Sequence, residues 1–186
     1  SGNVSSQFIT GLLFAAALLQ QDCRIHITGR LESKPYVDMT QKALALFGIN
    51  TCNFHIQGGQ RFRSPGYVNV EGDWSNGAFF LAANALGSRL EVTNLDPDSP
   101  QGDRAAQRLL QQLQQGHCTI DATDIPDLVP ILSVVAGFFH GAEFTGIRRL
   151  RLKETDRVAT VCAMMNALGA KTCATEDTLT VFPATY

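Results

Sequence analysis

The 186-residue chain is short of most features that would assign its class at a glance. Charged residues make up only 17%, and their signs nearly cancel, leaving a net charge of −2 and a pI near 6.0. That balance excludes a general role on nucleic acid or on an anionic membrane surface, both of which need a basic face. Long apolar runs are missing too: the longest, residues 8–19 and 128–139, are too short to span a bilayer. The five cysteines are odd in number, far apart and without a CxxC pair. They are read as reduced, buried thiols of a cytoplasmic protein rather than as a disulfide framework. His26, His55, His117 and His140 have no metal-ligand spacing, so structural roles are expected of them. Gly58-Gly59-Gln60 lacks the strand–loop–helix setting of a nucleotide loop and reads as a hairpin turn. An initiating Met is absent, and Ser1 leads almost directly into a helix signal, which reads as a cut or processed end rather than a signal peptide.

What is present is repetition. Hydrophobic residues, 45% of the chain, can supply the core of one domain or two small ones. Three times a polar cap opens an apolar helix that runs into a short alternating strand. The first copy starts at Ser5-Ser6-Gln7 and ends in residues 23–28, where Cys23, Ile25 and Ile27 share one face. The second starts at Ser75-Asn76-Gly77 and ends in residues 89–93; the third runs from Asp124-Ile125-Pro126-Asp127 to residues 142–145. Each copy is followed by an amphipathic helix, over residues 37–47, 103–115 and 154–168. In the middle one Ala106, Leu109, Leu110 and Leu113 keep the i, i+3, i+4, i+7 rule. Two of these helices end alike, with Gly48 and Gly169 placed as C′ residues ahead of a strand. The spacing is too uneven for an open solenoid, so the recurrence points to repeated supersecondary units.

Four segments carry chemistry, and each has a plain alternative. Ser5-Ser6-Gln7 stands where helix N–H groups and hydroxyls could hold a phosphate, or where a serine merely caps. Ser33-Lys34-Pro35-Tyr36 reads as a loop in which Pro35 holds Lys34 extended. Asp124-Ile125-Pro126-Asp127 reads as a helix start, with proline and acids suited to the first turn. Lys153, Glu154 and Arg157 fall three and four residues apart, as neighbours on one face of a helix that begins there. They form either a surface ion-pair cluster or a site for an anion that gains or loses a proton. Trp74 is expected to pack at a crossover between units.

Together these motifs resemble the 3-phosphoshikimate 1-carboxyvinyltransferase (EPSP synthase) family, over nearly the whole chain and less than half of the family enzyme. The resemblance implies an α/β fold of repeated βαβαββ units, helices inside and sheets outside, incomplete here. Residues 1–70 would be the last unit of the first, phosphoshikimate-binding domain, and residues 71–186 two units of the second. It implies transfer of the enolpyruvyl group of phosphoenolpyruvate to the 5-hydroxyl of shikimate 3-phosphate, without a cofactor. Ser5, Ser6, Gln7, Ser33 and Tyr36 would bind the phosphorylated sugar acid on one concave surface. Asp127 would be the general base, Lys153 and Glu154 the further acid/base groups, and Lys153 and Arg157 the holders of phosphoenolpyruvate. Arg149 stands where the family often has asparagine and is carried over as a substrate contact. The link between Gln115 and Asp121 is shorter than usual, which predicts a trimmed sheet edge. Cationic and glycine-bearing segments of the family lie outside these residues, so the isolated chain is expected to be inactive and to self-associate, repack its two parts or expose an unusually large apolar patch. A non-catalytic repeat scaffold and a sister enolpyruvyl transferase for a UDP-sugar are the alternatives.

Overall fold

A computed structural model of the protein describes residues 1–184. The chain divides into two compact units, residues 1–70 with 100–102, and residues 71–99 with those from Asp103 onward.

In the first unit, helix α1 (Ser6–Ala16), strand β1 (Cys23–Arg24), helix α2 (Lys34–Leu46) and strand β2 (His55–Ile56) follow in order. Helices α1 and α2 pack together through Ile9, Leu13, Ala16, Val37 and Leu44, joined by Ile49 and Ile56. The residues from Cys23 to Ile27 alternate in burial as expected, yet only Cys23 and Arg24 enter a ladder, antiparallel to β2. Gly58 and Gly59 do form a turn, but it follows β2, whose ladder partner is β1, so the turn does not join two paired strands.

In the second unit, helices α3 (Trp74–Ala85) and α4 (Ala106–Gln115) precede strand β3 (Cys118–Asp121). Then come helix α5 (Val129–Phe138), strand β4 (Ala142–Thr145), helix α6 (Arg157–Ala167), and strands β5 (Thr172–Ala174) and β6 (Thr178–Val181). From β3 to β6 this is one complete βαβαββ unit. The sheet order is β3-β4-β6-β5, with β3 and β4 parallel and the other pairs antiparallel. Strand alternation sends Ile120, Ala142, Phe144, Leu179 and Val181 to one buried face. Helices α5 and α6 cover that face, with α4 and α3 packed against α5. Helix α4 buries Ala106, Leu109, Leu110 and Leu113, the stripe its spacing predicts. Trp74 is buried at the start of α3, its indole N–H donating to the Asp96 carbonyl at 3.0 Å.

The repeat is visible in how helices stop. Gly48 and Gly169 take φ of +80° and +88°. In each case the next amide reaches back five residues, Ile49 N to Leu44 O at 2.9 Å and Ala170 N to Met165 O at 3.0 Å. Helix α3 closes likewise, at Gly87 with φ +109° and Ser88 N to Ala83 O at 3.0 Å.

Three expectations need correction. Residues 89–93 form no strand: the Asn84 side chain takes both the amide and the carbonyl of Leu90, at 2.7 and 2.8 Å, in place of a ladder partner. Lys34 is not extended but begins α2, because Pro35 in a first helical turn gives up an N–H that would be unpaired anyway. The change of direction falls on Ser33 instead, at φ 52° and ψ 40°. The cysteines are all free, but none is buried: Cys52 and Cys173 are exposed and the others lie half-buried at element ends or flanks.

Phe144 is fully buried between β3 and β6, whereas Leu152 is 73% exposed. Phe144→Ala should therefore cost about 3–5 kcal/mol in urea unfolding. Leu152→Ala should change it by about 0.5 kcal/mol or less.

Candidate active site

Parallel pairing decides where the acidic and basic residues meet. Asp121, the last residue of β3, is in register with Thr145, the last of β4. The loops carrying Asp127 and Lys153 thus leave the same edge of the sheet, at the carboxyl ends of parallel strands, where open α/β sheets place ligands. The two loops are also stitched together. Ala122 N–H donates to Thr145 O at 2.9 Å, and Asp121 Oδ1 accepts from Thr123 N–H at 2.9 Å and its hydroxyl at 2.5 Å. Gly146, at φ +70°, faces Thr123 so closely that an added Cβ would collide with the Thr123 hydroxyl.

Asp127 sits in a 3₁₀ turn, Pro126–Leu128, that leads into α5. Pro126 starts that turn as expected, while Ile125 rather than Asp124 holds the cap position. On the other loop a second 3₁₀ turn, Arg148–Leu152, is pinned to the β5–β6 turn: Arg148 N–H donates to Asp177 Oδ1 at 3.0 Å. Arg149, in that turn, is buried at 8% exposure. Lys153 follows in extended conformation and half-buried.

Lys153, Glu154 and Arg157 do not share a helix face. Asp156 caps α6 by accepting the Ala159 N–H at 3.0 Å, so the helix begins only at Arg157 and residues 153–156 are irregular. Tertiary contacts bring the charges together instead. Arg157 donates from Nη1 to Asp127 Oδ1 at 2.5 Å and from Nη2 to Glu154 Oε2 at 3.2 Å. One guanidinium therefore bridges carboxylates from two loops. Partial burial works to lower the Arg157 pKa, but the hydrogen bond and charge of Asp127, then those of Glu154, hold it above the ordinary value. The Glu154 pKa is lowered, first by a hydrogen bond from its own backbone and then by Arg157. Arg151 braces the loop, donating to Asp156 Oδ2 at 3.1 Å and to the Thr175 carbonyl at 2.6 Å.

In the first unit the backbone brings the starts of both helices side by side: Gly2 N–H donates to Thr28 O at 2.8 Å, and Glu32 N–H to Gly2 O at 3.1 Å. Ser5 caps α1, accepting the Gln7 N–H at 3.3 Å. Ser6 is buried, Gln7 exposed, Ser33 buried at the head of α2 and Tyr36 half-buried. Thr10 and Thr40 hydroxyls meet at 2.9 Å, tying α1 to α2 one turn further in. Among the described residues no cluster of His, Cys, Asp and Glu could hold a metal ion, and no helix is long and apolar enough to cross a membrane.

Sequence reasoning passed over Asp121, Thr123, Gly146 and Asp156. The last was legible as an acid three residues ahead of an amide in an apolar helix, the usual cap spacing. The Thr123–Gly146 approach had no sequence signal, since 23 positions separate residues that only strand pairing brings together.

The fold and site define an α/β protein built on a βαβαββ unit, with a carboxylate–guanidinium cluster at the carboxyl edge of its sheet. The family model described as EPSP synthase (3-phosphoshikimate 1-carboxyvinyltransferase) matches residues 1–186, and the chain belongs to that family. Relatives named 3-phosphoshikimate 1-carboxyvinyltransferase include those of Clostridium botulinum strain Eklund 17B, 37% identical, and Clostridium beijerinckii, 40% identical. The Clostridioides difficile protein of the same name is 39% identical. Each alignment covers 97% of this chain but only 46–47% of the relative. The chain thus spans about half the length of the curated relatives it matches.

The Asp156 pKa is lowered, first by the Ala159 N–H. A carboxylate so held stabilises the fold above its unfolded-state pKa, and the contribution disappears as pH falls through the lower folded-state value. Asp156→Ala should therefore lower the denaturation midpoint at neutral pH. The gap from the parent chain should close in acid, in parallel urea titrations.

Proposed function

We propose that these residues serve the transfer of an enolpyruvyl group from phosphoenolpyruvate to the 5-hydroxyl of shikimate 3-phosphate, with release of phosphate. The observation that carries this reading is the Arg157 guanidinium bridging Asp127 and Glu154 beside Lys153, in a chain of the EPSP synthase family. Residues 1–70 would be the last unit of the phosphoshikimate-binding domain, and those from 71 onward two units of the second domain.

The α1 N-terminus, with Ser5 and Ser6, suits the sugar phosphate, because amide donors and the helix dipole favour negative charge there. Gln7, Ser33, Tyr36 and Arg149 would contact the remainder of the substrates. Asp127 would take the proton of the 5-hydroxyl as its oxygen bonds to C2 of phosphoenolpyruvate, while Lys153 and Glu154 deliver a proton to C3. Loss of phosphate and of one C3 proton from the tetrahedral adduct then restores the double bond. Arg157, with its planar fork, holds the phosphoenolpyruvate anion. Both substrates are multiply anionic, so preorganised cations supply much of the stabilisation. Five free thiols suit the reducing cytoplasm as the working compartment.

The test is Asp127→Ala in an enzyme of the relatives' full length carrying this segment. Turnover should fall at least about 10²-fold with the circular dichroism unchanged, as expected for loss of a general base. Near-normal turnover would remove Asp127 from that role.

The 186 residues by themselves should release no phosphate from the two substrates, and they should self-associate. Helix α1 exposes Phe8, Leu12 and Phe14, followed by Leu18 and Leu19; in the second unit Phe79, Phe80 and Phe138 are exposed. At about 25 cal/mol per Å², a few hundred Å² of such surface costs several kcal/mol to leave wet. Light scattering and a phosphate-release assay on the purified chain check both statements; a monomer that turns over would contradict them.

A further inference from the structure

The Arg157 fork is already engaged. Asp127 occupies Nη1 and Glu154 occupies Nη2, and the three side chains are 33%, 80% and 29% exposed for Asp127, Glu154 and Arg157. An anion that binds a guanidinium side-on needs two of the same donors. Charge makes the same point: with Lys153 counted, two cations face two carboxylates, so an arriving anion gains little unless a carboxylate gives up its hold. Glu154, the more exposed partner at the longer distance, yields easily; Asp127, on the shorter and less exposed contact, is the one whose release matters.

From this geometry we infer that Arg157 couples anion binding to the release of Asp127. In the unliganded protein the guanidinium masks the Asp127 carboxylate, and a phosphoenolpyruvate anion that claims Nη1 and Nη2 frees it to accept a proton. The base is thus unmasked only when the second substrate is in place. The inference rests on the assignment of that anion to Arg157 given under Proposed function. Asp127 also comes from a loop fixed independently of α6, by the Asp121–Thr123 turn and the Ala122–Thr145 hydrogen bond, so it need not follow Arg157 when the guanidinium turns to a ligand.

Coupling of this kind is reciprocal: if the anion weakens the Asp127–Arg157 pair, removing the pair must tighten the anion by the same factor. The experiment is a double-mutant cycle in the full-length enzyme, with phosphoenolpyruvate and inorganic phosphate as probes and calorimetry as readout. Asp127→Asn keeps the shape of the side chain and should tighten binding about three- to tenfold, a span typical of directly interacting residues. Glu154→Gln, on an exposed side chain that does not threaten the fold, should tighten it less. In an Arg157→Ala background, where binding is weaker overall, Asp127→Asn should change affinity by less than about twofold. Unchanged or weakened binding in Asp127→Asn would overturn the inference. So would an equal tightening with and without Arg157, because that is plain charge repulsion. If Arg157→Ala binds both probes as tightly as the parent, the anion is not held there, and the reading of the site falls together with the inference. If Arg157→Ala weakens binding but Asp127→Asn does not tighten it, only the inference falls.

Discussion

The burial of α5 is the constraint on which the second unit depends. Its ten residues contain no charge, and Val129, Leu132, Val135 and Ala136 are almost wholly withdrawn from water. It packs against α3, α4 and α6 and against strands β4 and β6. Each fully buried aliphatic side chain is worth roughly 1.5–3 kcal/mol, so this helix contributes a share comparable with a small domain's net stability. Once α5 lies on the sheet, the preceding β3 and the following β4 are parallel, and the loops at their carboxyl ends share one edge.

That edge explains how a surface of ordinary charged residues becomes organised. Isolated exposed ion pairs contribute little, because water competes and long side chains lose freedom. Here Asp127 is held by a turn fixed at both ends, and Arg157 starts a helix whose cap is supplied by Asp156. The two groups meet because turn and cap position their supports, and Glu154 joins from the irregular segment 153–156. The arrangement places one firm and one loose partner on a single cation.

The three helix-ending glycines show what the repeat consists of physically. Gly48, Gly87 and Gly169 each adopt positive φ and each lets the following amide cap the helix it leaves. What differs between copies is what comes next. After Gly169 a ladder partner exists, and β5 forms against β6. After Gly87 the backbone has no such partner among the described residues, and Asn84 satisfies Leu90 instead. A strand is a property of two segments, so equal local sequence yields unequal structure.

The sequence by itself determined the helices, because their signals are local. The α4 stripe, the Pro126 start, the serine cap of α1 and the glycine stops all act within one or two turns, where spacing alone decides which groups meet. It also determined the family, since motifs separated along the chain kept their residue types. Only the tertiary structure decided which charges touch. Lys153, Glu154 and Arg157 looked like neighbours on one helix, yet Asp156 ended that possibility, and the closest partner of Arg157 proved to be Asp127, thirty positions away. The Thr123–Gly146 approach is likewise a product of parallel strand pairing. A pairing partner many residues distant leaves no periodic trace in the chain, because its position is set by the burial of α5 between them rather than by any local spacing.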